Sequence, residues 1–137
     1  MAARVKYLSQ EWRDDLEKRL KSELPPEKMN FLTSSMLNMY RNCPDGKDRF
    51  LYFKYEKGGL AELSVGLAGE VKELPVAEFV ITGDYEVFSK ISRAEMGSQR
   101  ALMSGKLKLK GNMVKALKLA AVSDRVNKVL SQVPAEY

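Results

Sequence analysis

The chain has 137 residues, of which 45% are apolar and 30% charged; this mix fits one folded domain over residues 1–137 with a core of its own and argues against disorder. It contains no histidine and a single cysteine, Cys43, which excludes imidazole-based triads, histidine metal ligands and an internal disulfide. A net charge of +5 and a pI near 9.3 suit anionic partners such as nucleic acid, acidic lipid headgroups or coenzyme A, and choose none of them.

The opening segment MAARVKYLSQEWRDD lacks the apolar stretch of a secretory signal. Lysines interrupt the later apolar runs short of a membrane-spanning length. The chain closes on Pro134-Ala135-Glu136-Tyr137, unlike a peroxisomal Ser-Lys-Leu address. The expectation is a soluble, cytoplasmic protein.

Ser9 is a suitable N-cap for a helix in which Trp12, Leu16, Leu20 and Leu24 recur on one face, a stripe read as core contact. Pro25-Pro26 stops it. A second helix is predicted over Ser34 to Arg41, with Met36, Leu37 and Tyr40 on one side. Asn42 to Lys47 forms a loop with a Pro-Asp-Gly turn. Phe50 to Glu56 is aromatic-rich and reads as a strand. Gly58-Gly59 signals a hairpin into the strand Leu60 to Leu67, where Ala61, Leu63, Val65 and Leu67 alternate with Glu62, Ser64 and Gly66. Gly66 and Gly69 suggest a bulge or turn.

Val76 to Thr82 alternates again, with Ala77, Phe79 and Ile81 opposite Glu78, Val80 and Thr82. Asp84 is a candidate cap for a helix carrying Tyr85, Phe88 and Ile91, which Gly97 breaks. Ser98 to Ser104 reads as a short helix with Leu102 and Met103. The strand Lys106 to Lys110 sets its lysines against Leu107 and Leu109. Gly111-Asn112 turns the chain into a last helical region. Its first face holds Met113, Ala116, Leu117, Ala120 and Ala121. A rotated second face holds Val126, Val129, Leu130 and Val133, and Ser123 is the predicted cap between the two. Strands flanked by helices without regular alternation define an α+β class, and the hairpin-linked alternating strands favour an antiparallel sheet.

No chemistry-bearing motif stands out. The segment GKLKLKGN lacks the upstream glycine and the Ser or Thr of a phosphate loop. Asp14, Asp15 and Glu17 sit beside Arg13, Lys18 and Arg19 as a solvated charged face. Cys43 lies at a turn with nothing nearby in sequence to activate it. The stretch Arg100 to Lys128 holds eight cations against Asp124 alone. It contains no Phe, Tyr or Trp, so base stacking is unsupported and no specific nucleic-acid partner is expected. Methionines fall in or near several apolar faces, and methionine suits both core filling and promiscuous apolar sites.

One run carries more information, VAEFVITGDYEVFSKISRAEMGSQRALMSGKLKLKGNMVKALKL, from Val76 to Leu119. A strand ends in Gly83-Asp84 and leads into a helical stretch broken at Gly97. An alanine helix at Ala101 follows, then the strand and turn from Gly105 to Met113, then Ala116 to Leu119. In order and spacing this resembles the sterol carrier protein two family. The resemblance implies a sheet of about five strands, mainly antiparallel, packed with helices around an apolar tunnel. It implies non-catalytic binding of a fatty acid, fatty acyl-coenzyme A or phospholipid, transfer of lipid between membranes, no cofactor and no metal. Transient contact with an anionic membrane surface fits the charge, and the protein is expected as a monomer or homodimer. A structural or protein-interaction module, or an accessory subunit presenting lipid to an enzyme, uses the same fold.

The energetics agree with that reading. Burying a methylene is worth about 0.8 kcal/mol, so a long acyl chain gains on the order of 10 kcal/mol before ordering costs. The expected lipid-binding positions are the inward strand residues Phe79, Ile81, Leu107 and Leu109. The helix residues Phe88, Leu102, Met103, Met113 and Leu117 join them.

Overall fold

The structure, a computed structural model, describes residues 5–137, with the backbone alone at residue 120. The part of the opening segment before residue 5, and the expected apolar contact of Ala120, lie outside what is described.

Helix α1 (Gln10–Glu23) starts as its cap residue requires: Ser9 Oγ accepts the Trp12 amide at 3.2 Å. Trp12, Leu16 and Leu20 are exposed by no more than 1%. On the polar face, Arg13, Arg19 and Lys21 pair with Asp14, Asp15 and Glu17. Arg13 Nε also donates to the Leu63 carbonyl at 2.9 Å, which fastens α1 to the sheet.

The sheet has five strands in the order β4-β3-β2-β5-β6. They are β2 (Ser34–Arg41), β3 (Arg49–Glu56), β4 (Gly59–Leu67), β5 (Phe79–Asp84) and β6 (Leu107–Lys110). All neighbours are antiparallel except β2 and β5, which run parallel through Met36↔Phe79 to Arg41↔Asp84. The class is therefore α+β with a mainly antiparallel sheet.

The segment Ser34–Arg41, expected as a helix, is the central strand. A central strand is covered on both faces, so its two sides do not read as apolar against polar. Ser34, Met36, Asn38 and Tyr40 share one face, while Leu37 and Met39 pack with Phe50 and Tyr52 on the other. Met36, Leu37 and Tyr40 also fit a helical face, and pairing on both edges decides the outcome.

The β3–β4 hairpin turns through Lys57 (φ 48°) and Gly58 (φ 83°), the backbone of a tight hairpin turn. A Cβ at Gly58 would stand 2.7 Å from Pro26 Cα, so the turn sits against the loop after α1. The Gly58 amide donates to the Leu32 carbonyl at 2.8 Å, and the Lys57 amide to Thr33 Oγ1 at 3.0 Å. Gly66 lies within the regular β3–β4 ladder opposite Phe50, and the irregularity of that pair falls at Lys54/Tyr55 instead.

Strand β5 starts at Phe79, later than the alternation suggests, and runs through Gly83 to Asp84. Gly83 lies opposite Leu107, where a Cβ would meet Leu107 Cδ2 at 2.4 Å. Helix α2 (Tyr85–Ser92) follows with Asp84 at the cap position, but the Asp84 carboxylate accepts from Asn42 Nδ2 at 2.8 Å rather than capping the helix. Helix α3 (Ser98–Met103) precedes β6.

The last helical region breaks at Leu119, not at Ser123. Helix α4 (Met113–Lys118) is capped by Asn112 Oδ1, which accepts the Lys115 amide at 3.1 Å. Helix α5 (Ala120–Gln132) already includes Ser123, whose amide donates to the Leu119 carbonyl at 2.9 Å.

Two short strands, β1 (Val5–Lys6) and β7 (Ala135–Glu136), pair in parallel beside the main sheet. They are too short to show a period in the sequence. They bring Tyr7 onto Trp12, Tyr40, Tyr85 and Tyr137 with ring centroids 4.6 to 6.1 Å apart. No described helix is long and apolar enough to cross a membrane.

Candidate functional site

Between the sheet and helices α2 to α5 lies a cavity of about 130 Å³. The pleat builds its floor, because alternate residues of a strand face the same side. Met36, Asn38 and Tyr40 of β2 face it, as do Phe53 and Tyr55 of β3, Phe79 and Ile81 of β5, and Leu107 and Leu109 of β6. The roof comes from Phe88, Ile91 and Ser92 of α2, Leu102 of α3, Ala116 and Leu117 of α4, and Val122, Val126 and Leu130 of α5. Among the described residues, no acidic or basic side chain lines it.

Of the positions expected from the sequence, Phe79, Ile81, Phe88, Leu102, Leu107, Leu109 and Leu117 are brought together on this wall. Met103 and Met113 stand outside it, exposed at 79% and 46%. The cause is helical phase. Leu102 turns inward on α3, so its neighbour Met103 points away, and α4 turns only Ala116 and Leu117 to the cavity. Sequence reasoning missed Asn38 and Tyr40, because their strand reads as a helix. It also left out the α5 residues Val126 and Leu130, which were read as a second apolar helix face, and Val122, which it did not single out.

The polar groups of the wall are neutral. Tyr7 and Ser92 hydroxyls lie 2.7 Å apart, with Tyr40 Oη 3.5 Å from Tyr7 Oη. Burial, the dominant cause, raises the hydroxyl pKa of Tyr7, Tyr40 and Tyr55. These phenols therefore stay protonated at neutral pH and offer hydrogen bonds rather than charge. Asn38 Oδ1 and Tyr55 Oη are buried with no partner among the described residues. An unmet buried polar group costs about 1–3 kcal/mol, which a hydrogen-bonding guest would relieve. Cys43 Sγ lies 3.6 Å from the Tyr40 carbonyl, and burial raises its thiol pKa.

Two lining residues, Gln99 of α3 and Leu117 of α4, are exposed, so the wall reaches the surface at both helices. A second, open groove of about 610 Å³ lies across α3 and α5, with Arg100, Lys106 and Lys128 set against Glu95 and Asp124. It shares Ile91, Ser98 and Asn127 with the cavity wall.

A five-stranded, mainly antiparallel sheet roofed by helices over an uncharged apolar cavity places this molecule in the class of α+β folds with an internal hydrophobic pocket. Residues 41–124, more than half of the chain, match the SCP-2 sterol transfer family, and the chain belongs to that family. Membership sets lipid binding or transfer, in general terms, as its class of activity.

Solved structures show the same fold. A crystal structure of sterol carrier protein 2 is 20% identical with a TM-score of 0.77, over 93% of this chain and 99% of its own. A solution structure from Thermus thermophilus, described as possibly a sterol carrier protein, is 20% identical with a TM-score of 0.75, over 98% of this chain and 94% of its own. Palmitated SCP2L2 from Aedes aegypti is 18% identical with a TM-score of 0.53, over 80% of this chain and 91% of its own. No curated protein matches the chain.

Proposed function

We propose that the chain, acting as one domain, is a non-catalytic carrier that holds the tail of a fatty acid, acyl-coenzyme A or phospholipid in the cavity under α2 to α5 and exchanges it with membranes. The observation that carries this reading is the uncharged apolar wall, with its neutral hydroxyls and amide, in a member of the sterol transfer family. An apolar wall with few polar groups captures methylenes with little shape selectivity. With no cation in the wall among the described residues, a charged headgroup remains outside, where the wall meets the surface.

The volume adds a requirement. An engineered cavity of about 150 Å³ takes up one benzene, whereas ligand pockets usually run from about 300 Å³ upward. A cavity of about 130 Å³ therefore widens when a long tail enters. Helix α4 is the part of the roof suited to move. It turns only Ala116 and Leu117 inward, and the Lys115–Glu78 pair at 2.5 Å ties it to the segment before β5. The same small volume is what favours the rival reading, an interaction module or accessory subunit that keeps the fold without carrying lipid.

Titration with a fluorescent long-chain fatty acid tests the proposal. The wild type is expected to bind one molecule per chain. Leu117→Trp, which crowds the cavity wall at α4, is expected to lose at least about tenfold in affinity while folding normally. Met103→Trp, outside the wall, is expected to bind as the wild type does. Equal binding by both variants removes the cavity beside α4 as the site, and no binding by the wild type leaves the rival reading in the lead.

A further inference from the structure

Among the described residues, Trp12 Nε1, Asn38 Oδ1 and Tyr55 Oη are buried side-chain polar atoms without a hydrogen-bond partner. Trp12 does not line the cavity, whereas Asn38 and Tyr55 both belong to its wall. The other hydroxyls of the wall do not answer them. Those of Ser92 and Tyr40 are tied to Tyr7, and Ser34 Oγ donates to Glu78. Tyr55 is only 6% exposed, so bulk solvent does not serve it either. Both oxygens are left to whatever the cavity takes up.

The order of the strands gives each oxygen a depth. The wall reaches the surface at Gln99 of α3 and Leu117 of α4. Helix α3 packs on β6 and α4 follows β6 in the chain, so a tail enters from the β6 side. From there the floor crosses β5, then β2 with Asn38, then β3 with Tyr55. Neighbouring strands lie about 4.8 Å apart, which sets β2 about 10 Å and β3 about 14 Å from β6. The register separates the two residues along the strands as well, with Asn38 opposite Leu51 and Tyr55 opposite Ser34. The wall thus carries two separate polar stations, one midway along the path of a tail and one at its far side.

Their chemistry narrows the group that fits. Asn38 Oδ1 only accepts a hydrogen bond, while Tyr55 Oη both donates and accepts. A ketone would serve Tyr55 and leave Asn38 unmet. An ammonium or a second carboxylate would be buried against a wall that offers no counter-charge among the described residues, at a far larger cost. A hydroxyl donates, accepts and carries no charge.

We infer that the cavity selects acyl tails that carry a hydroxyl, with Tyr55 receiving a hydroxyl at the end of the tail and Asn38 one at mid-chain. The inference rests on the lipid-carrier reading and names the class of tail within it. Asn38 and Tyr55 set specificity, and the apolar remainder of the wall supplies affinity for the methylenes. In a wall without free polar groups, a hydroxyl gives up its water and gains nothing. Here the same step pairs a protein oxygen that is otherwise unmet, and a site built in this way turns against the tail that lacks the hydroxyl.

The test is displacement of a fluorescent fatty acid by two pairs of competitors: ω-hydroxypalmitate against palmitate, and stearate hydroxylated at mid-chain against stearate. The readout is the ratio of affinities within each pair, which cancels what the two chains share. The wild type is expected to bind each hydroxylated acid at least as tightly as its parent, where a wall without free polar groups would bind it about tenfold more weakly. Tyr55→Phe is expected to lower the ω-hydroxy ratio about tenfold, and Asn38→Leu the mid-chain ratio by a similar factor. Both variants nearly conserve side-chain volume, so the shape of the wall is kept. Tyr52→Phe, on the opposite face of the sheet with Leu37 and Phe50, is expected to move neither ratio.

Weaker binding of both hydroxylated acids than of their parents by the wild type overturns the inference and assigns the unpaired oxygens to buried water. Ratios that neither Tyr55→Phe nor Asn38→Leu moves overturn it as well, and so does a loss in Tyr52→Phe equal to that in Tyr55→Phe. In each of these cases the binding of palmitate still upholds the carrier reading. Failure of the wild type to bind any of the four acids refutes both.

Discussion

Helices α1 and α4 both set apolar residues among lysines, yet the fold uses them in opposite ways. In α1 the stripe Trp12, Leu16 and Leu20 is buried to 1% or less, and the charged residues on its other face pair among themselves. In α4, Met113, Val114 and Leu117 stay 46%, 63% and 43% exposed, and Lys115 is engaged by Glu78. The difference is one of context. Helix α1 is long enough to lay a stripe along β4 and α5, whereas α4 is a short turn of helix over a cavity, with less to pack against. Apolar residues of the first kind hold the molecule together; those of the second kind are available to something outside it.

The sharpest way to break this comparison is truncation. Trp12→Ala is expected to cost about 3–5 kcal/mol, as large core deletions do, and to lower the thermal midpoint steeply. Val114→Ala is expected to change stability by less than about 0.5 kcal/mol. Chemical denaturation of both proteins checks the pair, and a Val114→Ala cost near that of Trp12→Ala would place α4 in the core.

The caps sharpen it further. Ser9→Ala removes the acceptor of the Trp12 amide and is expected to cost about 1 kcal/mol of global stability, because α1 unfolds with the core. Asn112→Ala removes the matching bond to the Lys115 amide. Its loss is expected locally, as faster amide exchange across α4 with a smaller change in the global midpoint.

The smallest effect concerns the tie between α4 and the segment before β5. Lys115, and after it Ser34, holds the Glu78 carboxyl below its ordinary value of 4.5. A depressed carboxylate contributes stability that is fully present above its ordinary value and is lost as pH falls through its lowered folded value. The tie is therefore intact at neutral pH and released only in acid. The pair is partly exposed, so its worth is about 0–1 kcal/mol. Protection factors of the α4 amides, which correct for the intrinsic slowing of exchange in acid, are expected to fall on acidification in the wild type, whereas Glu78→Gln is expected to show the lowered protection already at neutral pH.

Much of this architecture was legible in the sequence where one local signal was strong. The Ser9 cap and the Trp12 stripe marked α1. The Gly58 turn marked the β3–β4 hairpin, and the pairs Phe79/Ile81 and Leu107/Leu109 marked the inward faces of β5 and β6. The central strand was not legible, because burial on both faces erased its alternation and Met36, Leu37 and Tyr40 imitated a helical face. With that strand went Asn38 and Tyr40, the polar part of the cavity wall. Met103 and Met113 were assigned inward because nothing local sets the phase of so short a helix. The pairing of Val5–Lys6 with Ala135–Glu136 joins segments distant in sequence and too short to carry a pattern.

The central claim is that the cavity under α2 to α5 holds a lipid tail, and native mass spectrometry of the purified protein, followed by denaturing extraction, tests it most directly. The account predicts one bound mass per chain in the range of a fatty acid, acyl-coenzyme A or phospholipid, and its loss in Leu117→Trp. A chain that carries no such mass and also fails to take up added palmitate or palmitoyl-coenzyme A would contradict it.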